Sequence, residues 1–135
     1  MRTYIFKTVF LALLCSCNPK GQQKETNHKM QFANFIKTDS LNYNFGTIKD
    51  GDRNINHVLV FTNSKKETIY ISKIPTLCPC LSLNYPRKKI NPNETFWIKV
   101  SYTPKIKTGF FNHQIMIILN DGKYFINPTI KGIIK

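Results

Sequence analysis

The sequence predicts an all-β protein in which two stacked sheets of antiparallel strands share one core. Three observations carry this prediction. Short stretches of alternating apolar and polar residues recur at intervals of roughly ten residues. Turn-forming residues such as Gly, Pro, Asn and Asp separate these stretches, and no helical period follows the N-terminal leader. A sheet with one apolar face needs a covering layer, so a sandwich is expected.

The clearest strand pattern lies between Glu94 and Asn120. Every second residue from Phe96 to Tyr102 is apolar, which is typical of a strand with one buried face. The same spacing runs from Phe111 to Leu119, with His113 as one member of the set. The turn at residues 103–110 is short, so the sequence predicts that the two strands are antiparallel neighbours in one sheet.

The remaining strands are indicated by the same alternation and by the turns that bound them. A short edge strand is expected around Phe32, Phe35 and Ile36, and Pro128 is expected to break the last strand. The other predicted strands cover residues 41–45, 54–62, 68–74, 81–85 and 123–134. About seven short strands with turns between them are the profile of an immunoglobulin-like β-sandwich of about 100 residues.

Residues 1–16 predict an export signal. Arg2 and Lys7 give a positive start, and the apolar run that follows is too short for the roughly 20 residues of a membrane-spanning helix. The run Leu14-Cys15-Ser16-Cys17 resembles the lipobox of bacterial lipoproteins, in which the final Cys is lipidated and begins the mature chain. Cys17 is therefore the predicted lipidation site, although Cys15 departs from the usual pattern. An ordinary cleaved secretory signal is the alternative.

The predicted mature chain has two parts. Residues 17–31 hold Pro19, Gly21 and several Gln and Lys, which is the composition of a flexible tether. As a coil, such a tether keeps the next domain on the order of 20 Å from a bilayer. Residues 32–135 form the predicted sandwich domain. Each buried lipid methylene contributes about 0.8 kcal/mol, so a doubly acylated Cys17 would hold the chain on a membrane.

The chain is strongly basic, with a formal net charge of +13. Such a surface attracts acidic lipid, acidic polysaccharide or nucleic acid, but export of the chain excludes nucleic acid as a partner. Most of the excess is lysine in a chain rich in Asn and Ile, a composition that AT-rich codon usage also produces. Arg87, Lys88 and Lys89 form a basic cluster. It is a candidate patch for an anionic envelope polymer, or a solvated turn.

The candidate chemistry lies at Cys78-Pro79-Cys80. With one residue between them in extended chain, the two thiols leave the same face of the backbone. In an oxidising compartment they form a disulfide, hold a soft metal such as Cu(I), or pack as small apolar residues. The metal alternative needs further ligands brought by the fold, and the candidates are His57, His113 and Met116.

Enzyme signatures are missing from the sequence. It contains no His and carboxylate cluster, no Gly-rich phosphate loop and no nucleophile elbow. The seven acidic residues are scattered through turns and the tether. The sequence therefore predicts a protein that is not an enzyme.

The region from Leu41 to Lys135 resembles the family called domain of unknown function 1573 (DUF1573). That resemblance implies an immunoglobulin-like domain of exported lipoproteins of Bacteroidetes, related in fold to PapD-like and Hydin-type sandwiches. Leu77 and Leu81 depart from the family pattern, which usually has Ser and Thr there. The matching motifs are Tyr43-Asn44-Phe45-Gly46-Thr47-Ile48 with Asp50-Gly51, Phe61-Thr62-Asn63, Cys78-Pro79-Cys80, Ile90-Asn91-Pro92-Asn93-Glu94, and Tyr102-Thr103-Pro104 through Gly109-Phe110.

Together these features predict a lipid-anchored module of the cell envelope of a Gram-negative bacterium, in the periplasm or on the outer-membrane surface. The expected partners are the membrane, through the N-terminal lipid, and an envelope protein or anionic polymer bound at a sheet face or edge. The alternative function is thiol redox or copper handling by Cys78 and Cys80. No resident cofactor is expected, and copper belongs only to that alternative.

Overall fold

The computed structural model describes residues 31–52 and 54–135. The predicted export signal at 1–16, the lipidation site Cys17 and the tether up to residue 30 lie outside the described residues. Gln31, the last residue of the predicted tether, already belongs to the first strand. Within the described ranges, no helix is long and apolar enough to cross a membrane.

Eleven strands and one short 3₁₀ helix make up this part of the chain. The helix occupies Asn120–Gly122, in the turn where the sequence places Asn, Asp and Gly. In chain order the strands are β1 Gln31–Phe32, β2 Ile36–Thr38, β3 Asn42–Ile48, β4 Ile55–Asn63, β5 Ile71–Lys73, β6 Leu81–Asn84, β7 Thr95–Tyr102, β8 Gly109–Gln114, β9 Ile117–Leu119, β10 Tyr124–Ile126 and β11 Thr129–Ile134.

The strands form the two layers of an immunoglobulin-like sandwich, which confirms the predicted fold class. One layer is the sheet β2-β4-β7-β6. The other layer consists of two sheets, β3-β11-β8 and β1-β10-β9-β5. They are joined end to end by the chain, which runs from β8 directly into β9 and from β10 directly into β11. The amide of Ile115 donates to the carbonyl of Pro128 across this junction, at 2.8 Å. Most pairs are antiparallel, whereas β1 with β10 and β3 with β11 are parallel.

The alternation seen in the sequence sets the core. Along β7 the even-numbered residues from Phe96 to Tyr102 are buried, and the odd ones are half-buried or exposed. Strand β4 lies beside β7 in continuous register, from Ile55 opposite Tyr102 to Thr62 opposite Thr95. Apolar side chains of both layers then meet in one cluster, as the two strand patterns predict.

Asn63 is a fully buried polar residue at the end of β4. Its side-chain amide donates to the carbonyls of Glu67, Ile90 and Asn91, at 2.9–3.3 Å. Its side-chain oxygen accepts from the amide of Lys65 at 3.0 Å. Buried polar groups are retained when they are hydrogen-bonded in this way, so Asn63 ties the turn after β4 to the segment before β7.

The prediction that β7 and the following strand are neighbours in one sheet is wrong. β7 lies between β4 and β6, whereas β8 pairs with β11 in the other layer. The loop between them therefore crosses the sandwich, and the rings of Tyr102 and Phe111 stack between the layers with centroids 4.4 Å apart. Alternation shows which face of a strand is buried but not which strand lies beside it.

Two other predicted strands divide differently in the structure. The segment around Phe32 and Ile36 forms β1 and β2, which pair with β10 and β4 and so contribute to both layers. The predicted strand at 68–74 is limited to β5, because Ile69 pairs instead with Ile90. The predicted break at Pro128 separates β10 from β11.

Candidate functional site

The loop from β5 to β6 carries the two cysteines and crosses from one layer to the other. Ile74 is buried where the loop begins, and Cys80 is buried where it ends. The carbonyl of Cys80 accepts a hydrogen bond from the amide of Thr103 at 2.8 Å, and that of Cys78 accepts from the amide of Leu81 at 3.1 Å. Both cysteines are thus held by backbone contacts, while Leu77 before them is fully exposed.

Cys78 and Cys80 are joined by a disulfide across one residue, with their Cα atoms 5.1 Å apart. The amide of Cys80 also donates to Sγ of Cys78 at 3.2 Å. Cys80 is buried, whereas Cys78 is half-buried at the surface. The sequence left three outcomes open for the pair, and the structure shows the disulfide, in which Cys78 is the more exposed residue.

His113 in β8 completes a group of three potential ligand residues. Its Nε2 lies 3.7 Å from Sγ of Cys80. One donor atom from each of Cys78, Cys80 and His113 lies within 4.8 Å of the other two. Burial lowers the pKa of His113 below its usual value, which favours the neutral ring with a free lone pair.

The other two candidate ligands have different positions. His57 in β4 stacks on Tyr43 of β3 with ring centroids 3.3 Å apart, and burial lowers its pKa. Met116, between β8 and β9, lines the same cavity as Cys78 but is partly exposed. The fold therefore brings His113 to the cysteines. His57 stacks on Tyr43 and is not one of the three clustered ligand residues, although Phe45 and Phe111 connect its ring to that of His113.

A cavity of about 430 Å³ lies beside the disulfide. One wall comes from the crossing loop and β6, including Leu77, Leu81 and Leu83. The other wall is residues 112–116, at the end of β8. Leu77, Leu81 and Leu83 make the first of these walls apolar.

Both strands that flank this cavity are edge strands. Among the described strands, β6 pairs with β7 and β8 pairs with β11, and each has no partner on its other side. Such an edge presents backbone N–H and C=O groups that another chain can pair with. We call this side of the sandwich, with β6, β8 and the cavity between them, the open edge.

The predicted basic patch is only partly available for an external anion. Lys88 forms an ion pair with Glu94 at 2.5 Å, and the pKa of that carboxyl is lowered by Lys88 and by the amide of Asn91. The guanidinium of Arg87 lies over the ring of Tyr85, 4.2 Å from its centroid. Arg87, Lys88 and Lys89 are all exposed. Two of them thus have intramolecular contacts, which favours a solvated turn over an anion site.

A second polar group, around Lys65, was not predicted from the sequence. Its ammonium group contacts the hydroxyl of Tyr124, lies over that ring at 4.1 Å and pairs with Glu67 at 3.2 Å. Hydrogen bonding to Lys65 lowers the pKa of the Tyr124 hydroxyl. Because the partners lie 59 residues apart in the chain, only the fold could reveal the group. The same holds for the two walls of the cavity.

The fold and the site together define the class of protein, which is an immunoglobulin-like sandwich with a cysteine pair at its open edge. The chain belongs to the family described as protein of unknown function (DUF1573), whose model matches residues 36–134. The resemblance noted in the sequence is thereby confirmed. A search of curated proteins finds no match to the chain.

Solved structures show the same fold at low sequence identity. A protein of unknown function from Porphyromonas gingivalis W83 matches 74% of this chain and 46% of its own length, with 18% identity and a TM-score of 0.58. The Vibrio cholerae VesB protease matches over 74% of this chain and 32% of its own, with 12% identity and a TM-score of 0.62. The chain thus spans less than half of either protein, and the likeness concerns the fold alone.

The YadV chaperone is also similar, with 14% identity and a TM-score of 0.42 over 75% of this chain and 51% of its own.

Proposed function

We propose that this protein is a non-enzymatic module of the cell envelope, anchored through a lipid on Cys17, that binds an extended segment of a partner protein along the open edge. The observation that carries this proposal is the open edge itself: within residues 31–52 and 54–135, β6 and β8 each lack a strand partner on one side, and an apolar cavity lies between them. A sheet edge recruits an added strand through main-chain hydrogen bonds, and pockets beside it select the side chains.

The exposure of Leu77 supports the same proposal. Its side chain is 101% exposed, at the mouth of the cavity, where it gains nothing from the fold of its own chain. Leu83 of β6 lies on the inner wall and is half-buried. An apolar side chain of an added strand would contact both, and would remove Leu77 from water. Burying a leucine fully is favourable by about 1.5–3 kcal/mol.

Affinity capture from envelope extracts tests this proposal with a matched pair of variants. Leu77→Asp places a charge at the cavity mouth, and Leu41→Asp makes the same change at another exposed leucine, ahead of β3. We expect the wild-type protein and Leu41→Asp to retain a protein that Leu77→Asp loses. Equal retention by all three proteins, or retention by none, contradicts binding at the open edge.

The proposed anchor depends on the N-terminal sequence and is tested separately. Intact mass of the protein isolated from its membranes should show a chain that begins at Cys17 and carries acyl groups. A chain that begins elsewhere, or has no acyl mass, would contradict the anchor without touching the binding proposal.

A second candidate function is thiol redox, and the disulfide between Cys78 and Cys80 favours it. One thiolate of a partner dithiol would attack a sulfur of the pair, form a mixed disulfide and release the other cysteine as a thiol. The second thiolate of the partner would then attack the partner's sulfur, which leaves the partner with a disulfide and Cys78 and Cys80 as two thiols. Cys78 is the more accessible of the two sulfurs. Measuring the reduction potential tests this: oxidoreductases lie at roughly −270 to −120 mV, and structural disulfides lie below about −300 mV.

A further inference from the structure

The disulfide and His113 suggest a site whose composition depends on its redox state. In the oxidised form both sulfurs are bonded to each other. Two-electron reduction by an external dithiol, which itself becomes a disulfide, adds two protons and leaves two thiols. The positions of Cys78 and Cys80 are set by the backbone contacts of the crossing loop, so both thiols stay close to His113.

We propose that the reduced protein binds one Cu(I) ion through Sγ of Cys78, Sγ of Cys80 and a ring nitrogen of His113, and that the disulfide excludes the metal. This deepens the second candidate function and rests on the reversible reduction of the cysteine pair. Binding displaces the two thiol protons, so the copper keeps its oxidation state and the site gains the ion in exchange for protons.

The donor set favours Cu(I) over other common metals. Thiolates are soft ligands that select Cu(I), and imidazole also suits copper. Structural zinc sites take four protein ligands, whereas the described residues bring three to this place. Two cysteines and a histidine with a water as fourth ligand also suit Zn(II), so zinc is the competing ion in the test. Magnesium and calcium need oxygen ligands, and no carboxylate belongs to this group in the described part of the chain.

The surroundings of the three donors also suit a metal site. Cys80 is buried, and half-buried His113 lies beside the stacked rings of Tyr102 and Phe111, whose centroids are 5.3 Å and 6.0 Å from its own. These aromatic contacts restrict the orientation of the imidazole. Half-buried Cys78 lines the cavity, which gives an ion or a copper donor a route from solvent.

The test uses the mature protein in detergent, without oxygen, in oxidised form and after reduction with dithiothreitol that is then removed. Cu(I) is supplied from a chromophoric chelator, and bound copper is counted by native mass spectrometry. We expect one Cu(I) per reduced chain and none per oxidised chain. X-ray absorption should show both sulfur and nitrogen ligands.

A matched pair of histidine variants tests the ligand set. His113→Phe keeps the aromatic contacts and removes the nitrogen, and we expect at least a tenfold loss of Cu(I) affinity with the reduced thiols still present. His57→Phe is the control and should bind as wild type. Thermal melts of both variants exclude unfolding as the cause.

Several results would overturn the inference. These are copper bound equally by the oxidised chain, no copper on a fully reduced chain, equal affinity in His113→Phe, or a preference for Zn(II). A thiol assay on the same samples separates the two ideas, because a pair that cycles between thiols and disulfide but binds no copper ends the metal site and leaves the redox function. A pair that resists reduction ends both.

Discussion

Reducing the disulfide should cost the domain little stability. The bond closes a loop of only three residues, from Cys78 to Cys80. In the chain-entropy treatment, a loop of three residues removes about 5 cal/mol/K from the unfolded chain, or roughly 1.6 kcal/mol at 25 °C. A loop of 15 residues would give about 3 kcal/mol. The small value follows from the spacing alone, and it lets the domain remain folded with free thiols.

Urea unfolding of the oxidised and the reduced protein measures this difference. We expect reduction to lower the free energy of unfolding by no more than about 1.6 kcal/mol. The urea concentration at the midpoint should therefore fall by at most that energy divided by the m-value, and the m-value should not change. A Cys78→Ala variant, which has no disulfide, should give the same midpoint with and without reductant. A loss above about 3 kcal/mol would contradict this expectation. It would mean that the domain needs the disulfide to stay folded, so that reduction of Cys78 and Cys80 would unfold it.

Three further predictions concern the sandwich itself. Asn63→Ala should lower the free energy of unfolding by about 2–4 kcal/mol, because buried hydrogen-bonding groups lose their partner, and urea unfolding measures it. Gly132→Ala should cost about 1–3 kcal/mol in the same assay, since its Cβ would lie 2.8 Å from the Phe111 ring. His57 has a lowered pKa in the folded state, so the unfolded chain binds its proton more readily. Stability should therefore be complete above pH 6.5 and decline below it, and His57→Phe should flatten this dependence in melts across pH.

A specific result would contradict each of these predictions. Asn44→Ala is the control for Asn63→Ala, because its side-chain oxygen accepts from Gly46 at an exposed site. Equal losses in the two variants would show that the buried network is not the cause. A Gly132→Ala protein as stable as wild type would mean that the Phe111 ring moves away freely. An unchanged pH profile in His57→Phe would assign the acid sensitivity to another group, such as His113, whose pKa burial also lowers.

Local pattern was enough to predict where most strands lie, because period-2 alternation is a property of the segment itself. It located the buried face of β7 and the break at Pro128. It did not predict that the strand expected at 111–119 divides into β8 and β9, which belong to different sheets. It also did not predict which layer β8 joins. Both sides of β7 are paired, with β4 and β6, and β8 pairs with β11 in the other layer. Strand partners are a property of the whole sheet, and the short turn between β7 and β8 was a poor guide to them.

The sequence identified the two cysteines of the candidate site but not the residues that surround them. Cys78 and Cys80 stood out because little else in the mature chain carries chemistry. His57 and His113 both lie on inward faces of strands, so their sequence patterns are alike. Only the loop that crosses between layers brings His113, 33 residues from Cys80, within 3.7 Å of it. The cavity walls likewise come from segments that are distant in sequence.

Photo-crosslinking in living cells tests whether a partner protein binds along the open edge. A photoreactive residue replaces Leu77 in one full-length protein and Leu41 in another. We expect a crosslinked polypeptide from position 77 and none from position 41. Absence of an adduct at position 77, or equal adducts at both positions, would contradict it.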